Sequence, residues 1–301
     1  AELRKRQPAV GYSHPQWLVN RWHHRWPDDT DALLKWNNQP APIYARRNTL
    51  RVTAEELEAQ WKQEKVSFSP CDLPWLSPGL MYRIKAEGSP AALASFAEGQ
   101  FYIQDPSTMA SVQELDPRPG ENILDLCAAP GGKTTAIAQR MQDDGAVLAI
   151  DIDERRLDLL RDNAERLGVS CIQPKVLAQI DLKNAGPFDR ILIDAPCSNT
   201  GVMRRRVDVR WRLHARELPT LARTQLDLLK RAAPLLKRGG VLVYSTCSIE
   251  PEENEEVIAA FLRKHRDFRQ ENARTLTPMK DGTDGAFVAR LRLPEPEAAE
   301  S

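Results

Sequence analysis

Apolar positions recur at two different periods along this chain, and the change of period divides it. In residues 1–40, Leu18, Trp22 and Trp26 fall four apart, one face of a helix. This stretch is predicted to be a helical linker region whose rings pack on the rest of the protein. Residues 41–110 read as a small α/β unit. Ile43 to Val52 has strand character, and Thr53 with Glu56 three positions on forms a capping box that starts a helix. A proline-rich connection (Pro70, Pro74, Pro78) then leads to a second strand near Leu80–Ile84.

Over residues 111–294 the pattern becomes short apolar runs: Ile123–Leu126, Ala146–Ile152, Cys171–Val176, Arg190–Asp194 and Val241–Ser245. Helical patterns such as Glu154–Leu167 and Leu218–Leu236 lie between them. Alternating strand and helix predicts a doubly wound parallel sheet, an α/β fold of Rossmann-like type. Phe268 and Gly285–Leu293 suggest a closing antiparallel hairpin, with Phe287, Ala289 and Leu291 alternating with Val288, Arg290 and Arg292. Residues 295–301 are expected to be a disordered tail. No internal repeat is visible.

Composition changes this picture little. A hydrophobic share of 42% and a charged share of 28% are those of an ordinary globular chain. Lys+Arg and Asp+Glu number 42 each, so net charge points to no polyanionic partner. Local charge does: residues 204–216 carry Arg204, Arg205, Arg206, Arg210, Arg212 and Arg216 against Asp208 alone. A solvated helix face and a phosphate-binding surface are equally good readings of that run. The five cysteines show no C-x-x-C and no close pairing with histidine, so no metal site and no disulfide framework is expected. Free thiols fit a reducing cytoplasm. No stretch approaches the roughly 18–20 apolar residues of a membrane span. A monomer is expected.

Two features carry chemistry. The first is the turn Asp125-Leu126-Cys127-Ala128-Ala129-Pro130-Gly131-Gly132-Lys133-Thr134, which leaves a strand and opens a helix. Its glycines let the backbone approach a ligand, and the helix start offers free N–H donors. A Walker A loop would need glycine at position 127, and a dinucleotide fingerprint would need G-x-G-x-x-G. Neither is present. S-adenosylmethionine needs no phosphate cradle and tolerates this spelling. Asp151, 20 residues after Gly131, stands where an acid should hold ribose hydroxyls.

The second feature is a pair of cysteines at the ends of two strands expected to be neighbours, Cys197 in Asp194-Ala195-Pro196-Cys197-Ser198 and Cys247 in Ser245-Thr246-Cys247-Ser248. One thiol can attack a pyrimidine at C6, turning C5 into a carbon nucleophile, and the second can help release the product. Asp194 is expected to face the base from a dry pocket, with a raised pKa that lets it donate to N3. Either cysteine alone is as well explained as a small buried hydrophobe. Both together, beside the cofactor turn, favour catalysis.

With these residues the chain resembles the RNA cytosine-5 methyltransferases of the Sun/Nop2 type, across residues 12–293. Gln104-Asp105-Pro106-Ser107, Pro251-Glu252-Glu253-Asn254 and Asp284-Gly285-Ala286-Phe287 are further matches. The resemblance implies that Cys127, Ala128, Ala129, Pro130, Gly131, Gly132 and Lys133 bind S-adenosylmethionine, with Asp151 on the ribose and Asp194 between cofactor and base. It implies Cys247 as nucleophile and Cys197 as the residue that assists release. Ser13-His14-Pro15-Gln16-Trp17-Leu18 looks like the linker of the ribosomal RNA small-subunit methyltransferase B branch, which acts on 16S rRNA. That branch carries a NusB-like domain ahead of this linker, and the sequence here starts without one. The family also tends to place an aspartate after the third strand; Val176-Leu177-Ala178 stand there, with Asp181 the nearest acid.

The expected partner is RNA, single-stranded or opened at the target base, with residues 41–110 as an RNA-contacting subdomain. Arg204, Arg205, Arg206 and Arg210, with the arginines on the first strand (Arg46, Arg47, Arg51), are the expected guides. The same chemistry on tRNA, a non-catalytic RNA-binding or assembly factor, and a DNA enzyme are the competing readings. The T-C-S cysteine weakens the last.

Overall fold

The computed structural model describes residues 2–295. The predicted tail from residue 296 onward lies outside the described residues.

Two sheets organise the chain. The smaller holds β1 (Ile43–Arg47), β2 (Ser67–Pro70), β3 (Met81–Lys85) and β4 (Phe101–Ile103) in the order β2-β3-β1-β4. All its pairings are antiparallel. Thr53 caps the helix Ala54–Gln63 with the capping box expected of it. The predicted strand to Val52 stops at Arg47 because Asn48 turns inward. Its buried amide donates to Gly99 O and Leu167 O, both at 2.8 Å.

The larger sheet holds β5 (Asn122–Leu126), β6 (Ala146–Asp151), β7 (Ile172–Val176), β8 (Phe188–Asp194), β9 (Leu236–Thr246), β10 (Arg269–Leu276) and β11 (Ala286–Arg292). Their order is β10-β11-β9-β8-β5-β6-β7. The five strands from β5 to β9 run parallel, and β11 and β10 close the edge antiparallel. The central strands are apolar throughout because both faces are covered. Leu124, Ile191, Ile193, Leu242 and Tyr244 belong to one core cluster, and Ile123, Leu192, Val241 and Val243 to the other. The helix Leu218–Ala232 ends before the predicted Leu236, since Pro234 cannot continue it and a short 3₁₀ turn intervenes.

From β5 the chain winds outward through β6 and β7, then returns to lay β8 on the other side of β5. The crevice between β5 and β8 is therefore the topological switch point, where open α/β sheets bind ligands beyond the carboxyl ends of the strands. The N-terminal helices pack on the same half. Leu18, Trp22, Leu33 and Leu34 share a cluster with Met203, Val209, Leu213 and Ile249. Trp22 Nε1 donates to Glu250 at 3.0 Å. Among the described residues no helix is long and apolar enough to cross a membrane.

Candidate functional site

The turn after β5 takes its shape from backbone that few residues tolerate. Cys127 sits at φ 65° and Gly131 at φ 99°. A Cβ at Gly131 would also lie 2.9 Å from Leu160 Cγ. The helix Gly132–Arg140 starts at once, so its first N–H groups face the switch-point crevice. A cavity of about 420 Å³ opens there, lined by Cys127–Pro130, Gly132 and Lys133, and across from them by Asp194, Asn199 and Cys247. That volume lies within the usual range for a cofactor or drug-sized ligand, about 300–1,000 Å³.

Asp125, the last acid of β5, was not singled out by its sequence position. It lines this cavity and its Oδ2 accepts from Thr134 Oγ1 at 2.7 Å, while Oδ1 is buried without a partner. Burial pushes its pKa up to about 7. A buried carboxylate oxygen lacking a donor suits a cationic ligand. Asp151 ends β6 as expected, but its carboxylate is occupied by the turn itself. It accepts from Ala129 N–H at 3.1 Å and Asp153 N–H at 3.2 Å, with the Arg156 guanidinium 3.4 Å away. The Cys127 thiol is pushed up to about 12 by burial and the surrounding carboxylates, which leaves it chemically quiet.

β8 and β9 pair in parallel with Asp194 opposite Ser245, so the loops that follow run side by side. This brings Cys197 Sγ to 3.2 Å from Cys247 Sγ. Asn199, left-handed at φ 60°, spans both loops. Its Nδ2 donates to Cys197 O at 2.8 Å, and its Oδ1 lies 3.1 Å from Cys247 Sγ. The hydrogen bond with Cys247, burial and repulsion from a charged Cys247 all hold the Cys197 thiol well above the ordinary range.

Beneath the thiols, Glu253 is fully buried and grips both loops. The hydroxyls of Ser198 and Ser248, each the residue after a thiol, donate to it. So do Ser198 N–H at 2.8 Å and Gln225 Nε2 at 3.0 Å. Burial still raises its pKa. Neither Asn199 nor Glu253 had a signal beyond lying near a cysteine or within the matched Pro251–Asn254 stretch.

The expectation of a dry pocket around Asp194 is corrected. Its side chain is 32% exposed and ion-paired with Lys133 Nζ at 2.7 Å, and Ser245 Oγ donates to it at 2.9 Å. Burial pulls the Lys133 pKa down, but attraction and hydrogen bonding to Asp194 outweigh it and leave the ammonium above its usual value. Lys133 thus brings an ammonium, paired with Asp194, to the cavity wall.

The arginines divide in a way that spacing does not reveal. Arg204 is buried, pairs with Asp284 and lies 3.9 Å above the Trp36 ring. Arg210 is buried and donates to Asn37 O and Asn38 Oδ1. Both are thereby corrected from RNA guides to structural ties, since neither guanidinium reaches solvent. Arg205 is partly exposed but committed to Asp284 and Asp105, whereas Arg206 is exposed and lines the cavity. Burial also pushes the Asp284 pKa up to about 6, with Asp105 adding to the rise and the guanidinium groups opposing it.

On β1, Arg46 is wholly buried. It donates to Gly132 O at 2.6 Å and Thr135 Oγ1 at 2.8 Å, tying the small sheet to the cofactor turn. Arg47 bonds Gly79 O and Val52 O, and Arg51 bonds Leu167 O. These too are structural contacts.

The family model for the 16S rRNA methyltransferase RsmB/F matches residues 112–292. A model for an RsmF/B-like, ferredoxin-like domain matches residues 14–76. The ribosomal RNA small subunit methyltransferase B of Klebsiella pneumoniae is 39% identical over 292 residues, covering 93% of this chain and 66% of its own. The probable methyltransferase B of Bacillus subtilis is 34% identical over 311 residues, covering 95% and 68%. A crystal structure of a methyltransferase homologue from Pyrococcus horikoshii superposes with a TM-score of 0.81 at 30% identity, over 94% of this chain and 97% of that one.

The chain thus spans about two thirds of the length of the curated relatives it matches. The cofactor of such methyltransferases is S-adenosylmethionine, and the residues present fit it: a glycine turn no side chain could replace, a helix N-terminus, and the unpartnered Asp125 oxygen for a cation. On its sheet, its turn, its paired thiols and these likenesses, the chain belongs to the RsmB/F family of S-adenosylmethionine-dependent methyltransferases.

Proposed function

We propose that this chain transfers a methyl group to C5 of a cytosine in RNA, with 16S rRNA as the substrate, through a covalent bond between Cys247 and C6 of the base. One observation carries the reading: two thiols in contact at 3.2 Å, in loops that border the cofactor turn. A pure RNA-binding module has no use for such a pair.

Cys247 is the attacking residue in this reading because it lines the cofactor cavity, and it attacks as the thiolate, the nucleophilic form of a cysteine. Its sulfur adds to C6, the C5–C6 π pair shifts to C4–C5, and the C4–N3 π pair moves onto N3, which makes C5 an enamine carbon. The Lys133 ammonium, held in the cavity by Asp194, offsets the charge that develops at that edge. Bound S-adenosylmethionine supplies an electrophilic methyl group to C5. C5 then gives its proton to solvent water, the C5–H pair re-forms the C5–C6 double bond, and the S–C6 pair returns to Cys247. Cys197, at contact distance, can protonate the departing sulfur. Glu253 keeps the two loops together through these steps by holding the serine that follows each cysteine.

The base has to leave any stack to reach the cavity, so the substrate is opened or single-stranded at that position. Arg206, exposed at the rim and without the acidic partners that hold Arg205, is the arginine of the predicted set that would meet its phosphate.

The test is methyl transfer from labelled S-adenosylmethionine to 16S rRNA, followed by digestion to nucleosides. The expected product is 5-methylcytidine, with transfer falling to background in Cys247→Ala. A methylated adenosine, guanosine or ribose would refute the reading, as would an active Cys247→Ala.

A further inference from the structure

The loop that carries Cys197 has cavities on two sides. One is the cofactor cavity; the other, of about 530 Å³, is lined by Cys197–Asn199 and by Val209, Arg212, Leu213, Arg216 and Thr220. Asn199 lines both. Beside this second groove the surface has an unusual composition. Trp211 is 60% exposed and Val207 54% exposed, although most large apolar side chains of the protein are covered. Arg212 and Arg216 are exposed, and among the described residues the acid paired with Arg212 is the solvent-exposed Asp208 at 3.4 Å. Arg206 and Arg216 have no acidic partner among the described residues. Glu217, the acid lining the groove, is already engaged by His214 N–H at 2.7 Å.

The segment that presents these groups is rigid. Arg204 anchors one end of it to Asp284, and Arg210 anchors its middle to Asn37 and Asn38. Val209 and Leu213 are buried in the cluster formed with the N-terminal helices. The buried arginines therefore hold a platform from which the exposed ones project.

We infer that this groove carries the RNA strand away from the target base, with Trp211 stacking on a neighbouring nucleobase and Arg212 and Arg216 meeting its phosphates. The inference rests on the reading of the chain as an RNA methyltransferase and extends it from the target base to the flanking nucleotides. The chemistry is that of single-strand recognition: an aromatic face tolerant of base identity beside cations that follow the backbone. Charge complementarity selects a polyanion. The shared wall at Asn199 places that polyanion next to the reacting thiols.

The experiment is titration of a short single-stranded RNA with a central cytosine, followed by fluorescence anisotropy, across about 50 to 200 mM salt. Wild type is compared with Trp211→Ala, Trp211→Phe and the double variant Arg212→Ala/Arg216→Ala. The expected result is roughly tenfold or greater weakening in Trp211→Ala with recovery in Trp211→Phe. The double variant should lower the slope of log affinity against log salt by about 1.4, or about 0.7 for each phosphate contact on a single strand. All three side chains are exposed, and thermal midpoints equal to wild type would show that folding is intact.

Binding and salt slope unchanged in both variants, with wild type still binding RNA and methylating it, would overturn the groove and leave the proposed activity standing. Unchanged RNA binding together with lost binding of an acidic protein surface would give the patch to that partner and equally overturn the inference. A wild type that neither binds nor methylates any RNA would overturn both.

Discussion

Asp125 shows how one residue can link the cofactor site to pH. Its carboxyl, ordinarily near 3.8, is pushed up to about 7 by burial beneath the turn. Between those values the native state holds a proton that the unfolded chain has lost. The group's contribution to stability is therefore full below the unfolded value and disappears as pH rises through about 7. A cationic cofactor reverses the preference, because it favours the carboxylate. S-adenosylmethionine affinity is accordingly expected to strengthen from about pH 6 to 8, with proton release on binding, and to be flat in Asp125→Asn. Calorimetry in buffers of different ionisation enthalpy would show it. A wild-type affinity independent of pH would remove Asp125 from the cofactor site.

At the scale of elements, the turn after β5 is braced from outside its own sheet. Arg46, on β1 of the small sheet, crosses to Gly132 O and Thr135 Oγ1 at the start of the helix that follows the turn. Replacing it with alanine removes its charged hydrogen bonds to Gln104, Gly132 and Thr135 and empties a buried site, at a cost of about 2–3 kcal/mol. Arg46→Lys should recover little, because an ammonium cannot match a planar fork. Both variants are also expected to bind S-adenosylmethionine more weakly, although Arg46 does not line the cavity. Thermal melts and calorimetry on the same samples would check this, and an unchanged affinity would confine Arg46 to stability.

Arg46 also marks the limit of what the chain discloses about itself. The parallel strands were legible because β5, β8 and β9 are covered on both faces and read as unbroken apolar runs. The turn was legible because its spelling and the spacing to Asp151 exclude other cofactors. The short edge strands β2 and β4 were not, being four and three residues long. Arginine roles were illegible for a different reason. Whether Arg204 faces RNA or the interior depends on Asp284, 80 residues further along the chain. A guanidinium is written the same way in either place.

In the whole molecule, each part converges on the switch point between β5 and β8. The parallel sheet delivers the cofactor turn from one strand and Cys197 from its neighbour, while β9 adds Cys247. The N-terminal helices steady the segment 203–213 at the rim, and the small sheet steadies the turn through Arg46. The result is a cavity of cofactor size with Cys247 in its wall, and beyond it a basic groove lined by Cys197. Such an assembly makes a covalent intermediate the central claim.

That claim is tested most directly by trapping the intermediate. Cys197→Ala incubated with RNA and S-adenosylmethionine should accumulate a protein–RNA adduct that survives denaturant. Peptide mapping should place the bond on Cys247, and the double variant Cys197→Ala/Cys247→Ala should form none. No adduct in Cys197→Ala, or a bond mapped to any residue other than Cys247, would contradict the account.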